Sequence, residues 1–330
     1  MRILVTGGAG FIGSHYVRKV LDDAWGGLEP ASVTVLDKLT YAGSRANLDP
    51  VAGDPRLRFV EGDILDGELV SSLMEEADAV VHFAAESHVD RSIIGSAEFV
   101  MTNVVGTQML LDAALRSNVD KFVHVSTDEV YGSIASGSWD EEQPVAPNSP
   151  YSASKASSDL LARAYYRTHG LSVCITRCSN NYGPYQFPEK VIPLFVTNLI
   201  EGDTVPLYGK GDNVRDWLHV DDHCRAIHLV LGGGRPGEIY NIGGGTEMSN
   251  KDLTAALLAA CGADWSSVVN VEDRKGHDLR YSVDTTKIRT ELGYKPKVQF
   301  EAGLAETIRW YVHNRDWWLP LKERAGLTRS

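Results

Sequence analysis

The stretch RILVTGGAGFIG, residues 2–13, places an apolar run directly before glycines spaced three residues apart. Gly7 would allow a tight turn, Gly10 would let the backbone approach a pyrophosphate, and Gly13 would let a helix pack closely on the strand. A helix that begins after this turn presents unpaired N–H groups and the positive end of its dipole. A glycine-rich turn without a ligand is the alternative, but the order of strand, turn and helix favours a dinucleotide-binding unit.

Short apolar runs rich in valine recur through the first half of the chain, separated by stretches of helical length. Because these runs show little polar alternation, they suit a parallel sheet that is covered on both faces. We therefore predict an α/β fold with a doubly wound parallel sheet of the Rossmann type. The predicted strands are 2–6, 33–37, 57–61, 79–83, 121–126 and 172–177, and the predicted helices are 11–21, 69–76, 97–116 and 151–169.

The character of the sequence changes after Arg177, where glycine, proline and aromatic residues crowd into NNYGPYQFP at 180–188. Such a composition predicts a structured loop. We predict a dinucleotide-binding domain over residues 1–178, with a return segment near 214–243, and a smaller C-terminal substrate domain over 179–330.

The bulk composition of the 330 residues argues against several classes of protein. The formal net charge is -12 and no Lys/Arg-rich run is present, so we expect no nucleic-acid partner. No segment approaches the roughly 18 apolar residues of a membrane span, and the N-terminal run is too short for a signal peptide, so we expect a cytoplasmic protein without membrane contact. The four cysteines form no C-x-x-C pair, so we expect neither a metal site nor a disulfide framework.

An acidic residue at the end of the second predicted strand indicates the cofactor. Asp37 lies 24 positions after Gly13, close to the spacing of about 20 at which a carboxylate meets the ribose hydroxyls of NAD and repels a 2′-phosphate. Lys38 weakens this argument, and an Asp at a strand end is often only a cap. We predict NAD rather than NADP, with Asp63 at the end of the third strand near the adenine.

The pattern Tyr151-x-x-x-Lys155 places a phenol and an ammonium on one face of a predicted helix, since residues i and i+4 are neighbours. The pKa of a free tyrosine is about 10, so a tyrosine that acts as a base near neutral pH needs a decrease of about 2–3 units. We expect Lys155 and a positively charged nicotinamide to cause that decrease. The pattern is common by chance, and its weight comes from the glycine motif upstream.

A second reactive group follows the predicted strand 121–126, in the sequence STDEVYG at 126–132. Ligands of doubly wound sheets bind at the carboxyl ends of the strands. Thr127 offers a hydroxyl, and Asp128 and Glu129 offer two carboxylates that can act as acid and base if their environments differ. The alternative is a pair of solvated acids in a turn.

Together these motifs resemble the extended short-chain dehydrogenase/reductases that act on sugar nucleotides, over essentially the whole chain. The resemblance is carried by the G-x-x-G-x-x-G spacing, the Y-x-x-x-K pair, NNYGP at 180–184 and RDW at 215–217. Within that family, STDEVYG at 126–132, DKLTYAG at 37–43, FAAESHVDRS at 83–92 and RKGHD at 274–278 are similar to the dTDP-glucose 4,6-dehydratases. The related 4-epimerases usually lack the Asp-Glu pair, and the related decarboxylases usually carry Ser-Glu there.

The resemblance implies a redox-neutral lyase that keeps NAD tightly bound and converts dTDP-glucose to dTDP-4-keto-6-deoxy-glucose. Tyr151, supported by Lys155, would take the proton of the sugar 4-hydroxyl while Thr127 holds that oxygen. Glu129 would be the base at C5 and Asp128 the acid toward the departing 6-hydroxyl, although the residues themselves leave open which carboxylate is the acid. Two alternatives stay open. One is another sugar-nucleotide enzyme of the same fold, a 4-epimerase or a decarboxylase, against which the Asp-Glu pair argues; the other is a non-catalytic NAD-binding protein, against which the retained Tyr/Lys pair argues.

The resemblance also implies the binding residues. Those for NAD are Gly7, Gly10, Phe11, Ile12, Gly13, Asp37, Lys38, Thr40, Asp63, Ile64, Ala84, Ala85, Ser87, Thr102, Tyr151 and Lys155. Those for dTDP-glucose are Ser87, Thr127, Asn180, Glu189, Lys190, Pro206, Tyr208, Arg215, Asn250, Arg274, His277 and Tyr281. Arg215 and Arg274 would bind the diphosphate, since guanidinium groups match phosphate geometry. The helices 97–116 and 151–169 would pair in a homodimer through a four-helix bundle.

Overall fold

A parallel sheet organises the protein, whose computed structural model describes residues 1–28 and 30–327. The strands in these residues are β1 (Arg2–Thr6), β2 (Ser32–Asp37), β3 (Leu57–Glu61), β4 (Ala79–His82), β5 (Lys121–Thr127), β6 (Val173–Cys178), β7 (Asn180–Tyr182), β8 (Val205–Tyr208), β9 (Val214–His219), β10 (Ile239–Ile242), β11 (Glu247–Ser249) and β12 (Val268–Val271). Seven of these described strands form the main sheet in the order β10-β6-β5-β4-β1-β2-β3, and each neighbouring pair is parallel. The predicted doubly wound α/β fold is confirmed.

Helices cover both faces of this sheet, and others belong to the smaller layer. The helices in the described residues are α1 (Phe11–Leu21), α2 (Gly67–Glu75), α3 (Val89–Ile94), α4 (Ala97–Phe99), α5 (Thr107–Arg116), α6 (Pro150–His169), α7 (Val191–Glu201), α8 (Val220–Gly233), α9 (Asn250–Cys261), α10 (Thr286–Leu292), α11 (Phe300–His313) and α12 (Arg315–Arg324). Side chains along a strand point alternately to opposite faces. Accordingly Ile3 and Val5 pack in one apolar cluster with α1 and α8, whereas Leu4 packs in a second cluster with α2 and α5.

Helix α6, which carries the Y-x-x-x-K pair, begins at a reciprocal cap. The Ser152 backbone N–H donates to Ser149 Oγ at 3.1 Å, and the Ser149 N–H donates to Ser152 Oγ at 3.0 Å. Pro150 follows at the first helical position, where an N–H would have no partner in the helix. The cap therefore fixes Tyr151 in the first turn of the helix.

The second half of the chain adds a smaller layer beside the sheet. Strand β9 pairs with β11 antiparallel and with β7 parallel, while β12 pairs with β8. Helix α8 packs against the main sheet and β10 pairs with β6, so the chain returns to the large layer after β9. The division into domains at residue 178 remains our proposal.

One predicted helix is not regular. Residues 97–116 contain a π-helical segment, Val100–Gly106, between α4 and α5. Asn103 lies in this segment and donates from its Nδ2 to the Glu86 carbonyl oxygen and to Ser154 Oγ, each at 2.9 Å. The wider turn thus binds the loop after β4 to α6, and such segments often occur at functional sites.

All four cysteines are free thiols. Within residues 1–28 and 30–327, no three His, Cys, Asp or Glu side chains are grouped so that they could hold a metal ion. Over the same residues, no helix combines the length and the apolar character that crossing a membrane requires.

Candidate active site

Two adjoining cavities open at the carboxyl ends of the parallel strands, where ligands of such sheets bind. The first has a volume of about 320 Å³ and the second about 220 Å³. Glu129, Glu189 and Lys190 line both, so the cavities form one continuous cleft.

The predicted site residues all lie in this cleft. The first cavity is lined by all those predicted for the cofactor, namely Gly7, Gly10, Phe11, Ile12, Gly13, Asp37, Lys38, Thr40, Asp63, Ile64, Ala84, Ala85, Ser87, Thr102, Tyr151 and Lys155. Thr127 and Asp128 also line it. The second is lined by Ser87, Asn180, Glu189, Lys190, Pro206, Tyr208, Arg215, Asn250, Arg274, His277 and Tyr281.

The glycine turn after β1 has the shape that a dinucleotide needs. Gly7 has φ +70°, and a Cβ there would lie 2.5 Å from the Ala84 nitrogen. A Cβ on Gly13 would lie 2.3 Å from the Gly7 carbonyl oxygen. Only glycine at position 13 therefore lets the helix approach the turn this closely. Gly10 is the N-cap residue of α1 and has no side chain that could bond to the first N–H groups of the helix. These N–H groups therefore remain available to an anion. The cradle fits the pyrophosphate of NAD.

The acidic residues of the adenosine end are fixed by backbone and side-chain partners. Asp37 accepts hydrogen bonds from the N–H groups of Ala9 at 2.8 Å and Leu39 at 2.9 Å. Burial raises the pKa of the Asp37 carboxyl, and these two bonds oppose the increase. Lys38 pairs with Asp63 at 2.8 Å, so its ammonium already has a carboxylate partner. Lys38 is therefore not a free cation that would attract a 2′-phosphate, and the argument from Asp37 for NAD stands.

Lys155 is buried one turn after Tyr151. Its Nζ donates to the Val125 carbonyl oxygen at 2.8 Å. Burial lowers the pKa of Lys155 to about 8. The ammonium is thus bound to strand β5 and sits in a site that disfavours its charge.

The pKa of the Tyr151 phenol is raised well above the value of free tyrosine, because burial and then the charge of Glu129 disfavour the phenolate. A hydrogen bond with the Thr127 hydroxyl opposes this increase. The expectation that Lys155 and the nicotinamide charge together lower this pKa stays a prediction. The spacing i, i+4 brings the two side chains to one face, but it does not determine how much solvent or how many carboxylates surround the phenol.

The two adjacent carboxylates occupy different environments. Asp128 is buried, its Oδ2 has no hydrogen-bond partner, and burial followed by the charge of Glu129 raises its pKa well above the ordinary value. Burial also raises the pKa of Glu129, but the cations Arg215 and Lys190 oppose that increase. Both pKa values are raised, but Glu129 adds to the increase at Asp128 whereas cations oppose it at Glu129, so Asp128 is the better suited of the two to hold a proton.

Within the described residues, cations line the second cavity beside four carboxylates. Arg215 is buried, stacks over the Tyr281 ring at 4.3 Å and donates to the Asp278 carbonyl oxygen at 2.9 Å. Arg274 stacks over the Tyr208 ring at 4.7 Å. With Lys190 these groups line a pocket that suits a diphosphate.

A family model described as GDP-mannose 4,6 dehydratase matches residues 4–307. The chain belongs to this family. The dTDP-glucose 4,6-dehydratase of Streptomyces niveus is 62% identical over 330 residues, which cover 100% of this chain and 98% of that protein.

Solved structures show how closely this family member matches its relatives. The dTDP-glucose 4,6-dehydratase DesIV of Streptomyces venezuelae, with NAD and dTDP bound, has a TM-score of 0.97 and 66% identity over 98% of this chain and 100% of that one. The UDP-glucose 4-epimerase of Thermotoga maritima, with UDP-glucose, has a TM-score of 0.87 and 33% identity over 96% of this chain and 100% of that one. The backbone is thus shared with epimerases, and side chains must distinguish the reactions.

Sequence reasoning missed several residues around the cleft of this family member. Asp159 on α6 accepts from Arg177 Nε at 2.8 Å, and the two side chains are 1% and 4% exposed. Arg177 also stacks at 4.6 Å over Tyr131, which belongs to the same short 3-10 helix as Asp128 and Glu129. In the sequence, Asp159 and Arg177 are visible only as charged residues within a predicted helix and a predicted strand.

Proposed function

We propose that the protein is an NAD-dependent hydro-lyase that converts dTDP-glucose to dTDP-4-keto-6-deoxy-glucose. The observation that carries the proposal is the carboxylate pair Asp128 and Glu129, which lies in one cleft with Tyr151 and has two different environments. An enzyme that only oxidised and reduced C4 would not need this pair. The close relatives named as dTDP-glucose 4,6-dehydratases support the same reaction.

NAD, when bound, supplies a hydride acceptor for C4 of the sugar, returns the hydride to C6 and places a positive charge beside the phenol. The residues that would hold it are those of the glycine cradle, with Asp37 at the ribose and Lys155 beside the nicotinamide ribose. In the first step, Tyr151 removes the proton from the 4-hydroxyl and Thr127 holds that oxygen. The product of this step is a 4-ketone, which acidifies the hydrogen at C5.

Elimination then uses the carboxylate pair. Glu129 removes the C5 proton, and Asp128 donates its proton to the 6-hydroxyl, which leaves as water. After reduction at C6, the proton held by Glu129 returns to C5, so the sugar has lost one water in total. The proton that Tyr151 took from the 4-hydroxyl balances the one that Asp128 gave to the departing hydroxyl, and its return to Asp128 restores the enzyme. Burial keeps the Asp128 proton in place until the hydroxyl departs, whereas the cations near Glu129 favour its basic form.

The diphosphate supplies the binding energy that holds the sugar over these groups. We propose that Arg215, Arg274 and Lys190 bind the two phosphates, and that Asn180 and Glu189 line the passage between the cavities. The walls at Pro206 and Tyr208 are the proposed site of the nucleoside. Asn250, His277, Tyr281 and Ser87 complete the proposed substrate contacts.

We also propose a homodimer through the helices 97–116 and 151–169, paired in a four-helix bundle. Leu160 is 54% exposed, and Val100 and Met101 are each 47% exposed, so apolar side chains stand uncovered on these helices. Their exposure supports an interface there. Sedimentation of the protein and of Leu160→Arg tests this, because the charge would dissociate a dimer that buries Leu160. The cytoplasmic location expected from the sequence stays a prediction.

The function is tested by incubating the purified protein with dTDP-glucose and no added cofactor. Loss of one water by mass spectrometry and a new 6-methyl signal by NMR are the expected results. Formation of the galactose isomer without loss of water would identify an epimerase and contradict the roles of Asp128 and Glu129. As a matched control, Glu142→Gln changes an exposed acid outside the cleft and should leave the product unchanged.

A further inference from the structure

Three loops from different parts of the chain meet at the wall of the first cavity. The loop after β2 contributes Thr40 and Ala42, the loop after β4 contributes Ser87, and the loop before α7 contributes Phe187 and Glu189. The second loop leads directly into α3. A ligand in this cavity is therefore surrounded by segments that have no backbone pairing with one another to hold them together.

Side chains join these loops. The Arg91 guanidinium on α3 lies over the Tyr41 ring at 3.8 Å, and Tyr41 follows β2. Arg91 Nε and Nη2 donate to Glu189 Oε2 at 3.2 and 3.1 Å. Tyr41 also packs edge-on against Phe187, with ring centroids 5.6 Å apart. One arginine and one aromatic ring thus link the three loops, and Lys190 Nζ adds a hydrogen bond to the Ser87 carbonyl oxygen at 3.0 Å.

The buried end of this group points at the cavity. The Glu189 side chain is 7% exposed, and it lines both cavities. Its Oε1 is buried without a hydrogen-bond partner. Arg91 is 42% exposed, so the group spans from solvent to the cavity wall.

We propose that Tyr41, Arg91 and Glu189 form a clasp that closes the NAD cavity and sets how slowly NAD leaves. The inference rests on the proposed function, since it assumes that NAD occupies the first cavity. Separating all three loops requires Arg91 to leave either the ring or the carboxylate, and it also breaks the bond from Lys190 to Ser87. In a reaction that regenerates its NAD at every turnover, a closed wall keeps the cofactor in place while the substrate enters through the second cavity.

The test measures NAD itself. The holoenzyme is purified, desalted and chased with an excess of a fluorescent NAD analogue, and the NAD released is followed over time by chromatography. Arg91→Ala removes the stacking and the ion pair together, and we expect NAD to dissociate about tenfold faster, since a cation–π contact and a partly exposed ion pair both disappear. Turnover of Arg91→Ala should decline after desalting and should be restored when NAD is added.

A matched control is Arg58→Ala, because Arg58 forms an ion pair of 2.6 Å with Glu76 and the two side chains are 55% and 60% exposed. Its NAD release should equal that of the parent. Arg91→Lys keeps the charge but cannot present a planar group to Tyr41, and we expect a release rate between those of the parent and Arg91→Ala. This milder variant keeps the test decisive if Arg91→Ala does not fold.

Two outcomes distinguish failure of the clasp from failure of the proposed function. If the parent holds NAD and Arg91→Ala and Arg91→Lys release it at the parent rate, the clasp is wrong and the proposed function stands. If the parent neither retains nor binds NAD, the proposed cofactor is wrong and the clasp falls with it.

Discussion

The ion pair between Asp159 and Arg177 offers a quantitative test of how the site is supported. Both side chains are almost fully buried, and Arg177 Nε lies 2.8 Å from Asp159 Oδ2. Although burial disfavours the charged form, Arg177 and then His124 hold the pKa of Asp159 below its ordinary value. The carboxylate is therefore charged in the folded protein, and the guanidinium depends on it.

Removing one partner leaves a buried charge without compensation. We expect Asp159→Leu to lower the free energy of unfolding by about 3–5 kcal/mol, because breaking a buried pair from one side costs about that much. The double variant Asp159→Leu/Arg177→Met removes both charges and should be more stable than Asp159→Leu alone. The non-additivity is the signature of the pair.

Urea unfolding followed by tryptophan fluorescence gives the comparison, with the loss visible as a lower midpoint at an unchanged slope. Glu76→Gln is the control, since its pair with Arg58 is exposed and should contribute at most about 1 kcal/mol. An Asp159→Leu cost below about 1 kcal/mol would refute the reasoning from an uncompensated buried charge. A double variant no more stable than the single one would refute it as well.

Further predictions concern the chemistry of the cleft. Asp128→Asn should lower kcat by at least about 100-fold while exchange of the C5 hydrogen in D2O, followed by NMR, continues; Glu129→Gln should abolish that exchange, and exchange at the parent rate would contradict its role. Gly13→Ala, whose Cβ would lie 2.3 Å from the Gly7 carbonyl oxygen, should leave less than about one tenth of the bound NAD after desalting. Because the pKa of Lys155 is lowered to about 8, its positive charge is lost as the pH rises through that value, so kcat/KM should fall above about pH 8; a constant kcat/KM up to about pH 9.5 would show that the charge is not needed.

Much of the fold could be predicted from local patterns of apolar residues in the sequence. Valine-rich runs without polar alternation predicted the parallel strands, because a strand buried on both faces must be apolar throughout. The seven-stranded sheet among the described residues confirmed this. The π-helical segment Val100–Gly106 was missed; its Asn103 bonds to Glu86 and Ser154, contacts between residues that are distant in sequence.

For the site, the sequence by itself determined which chemical groups are present and which share a local face. The spacing of Gly7, Gly10 and Gly13 requires only one turn and one helix, and Tyr151 and Lys155 require only a helical repeat. Such relations are set by backbone geometry over a few residues, so they can be read without knowing the rest of the molecule.

Only the tertiary structure decided how these groups are charged and enclosed. The high pKa of Tyr151 and the different environments of Asp128 and Glu129 come from burial and from charges brought in by distant segments. The contact of Arg91 with Glu189 joins residues 98 positions apart. Desolvation and Coulomb interactions depend on distance in space, which sequence spacing does not fix beyond a single helix or strand.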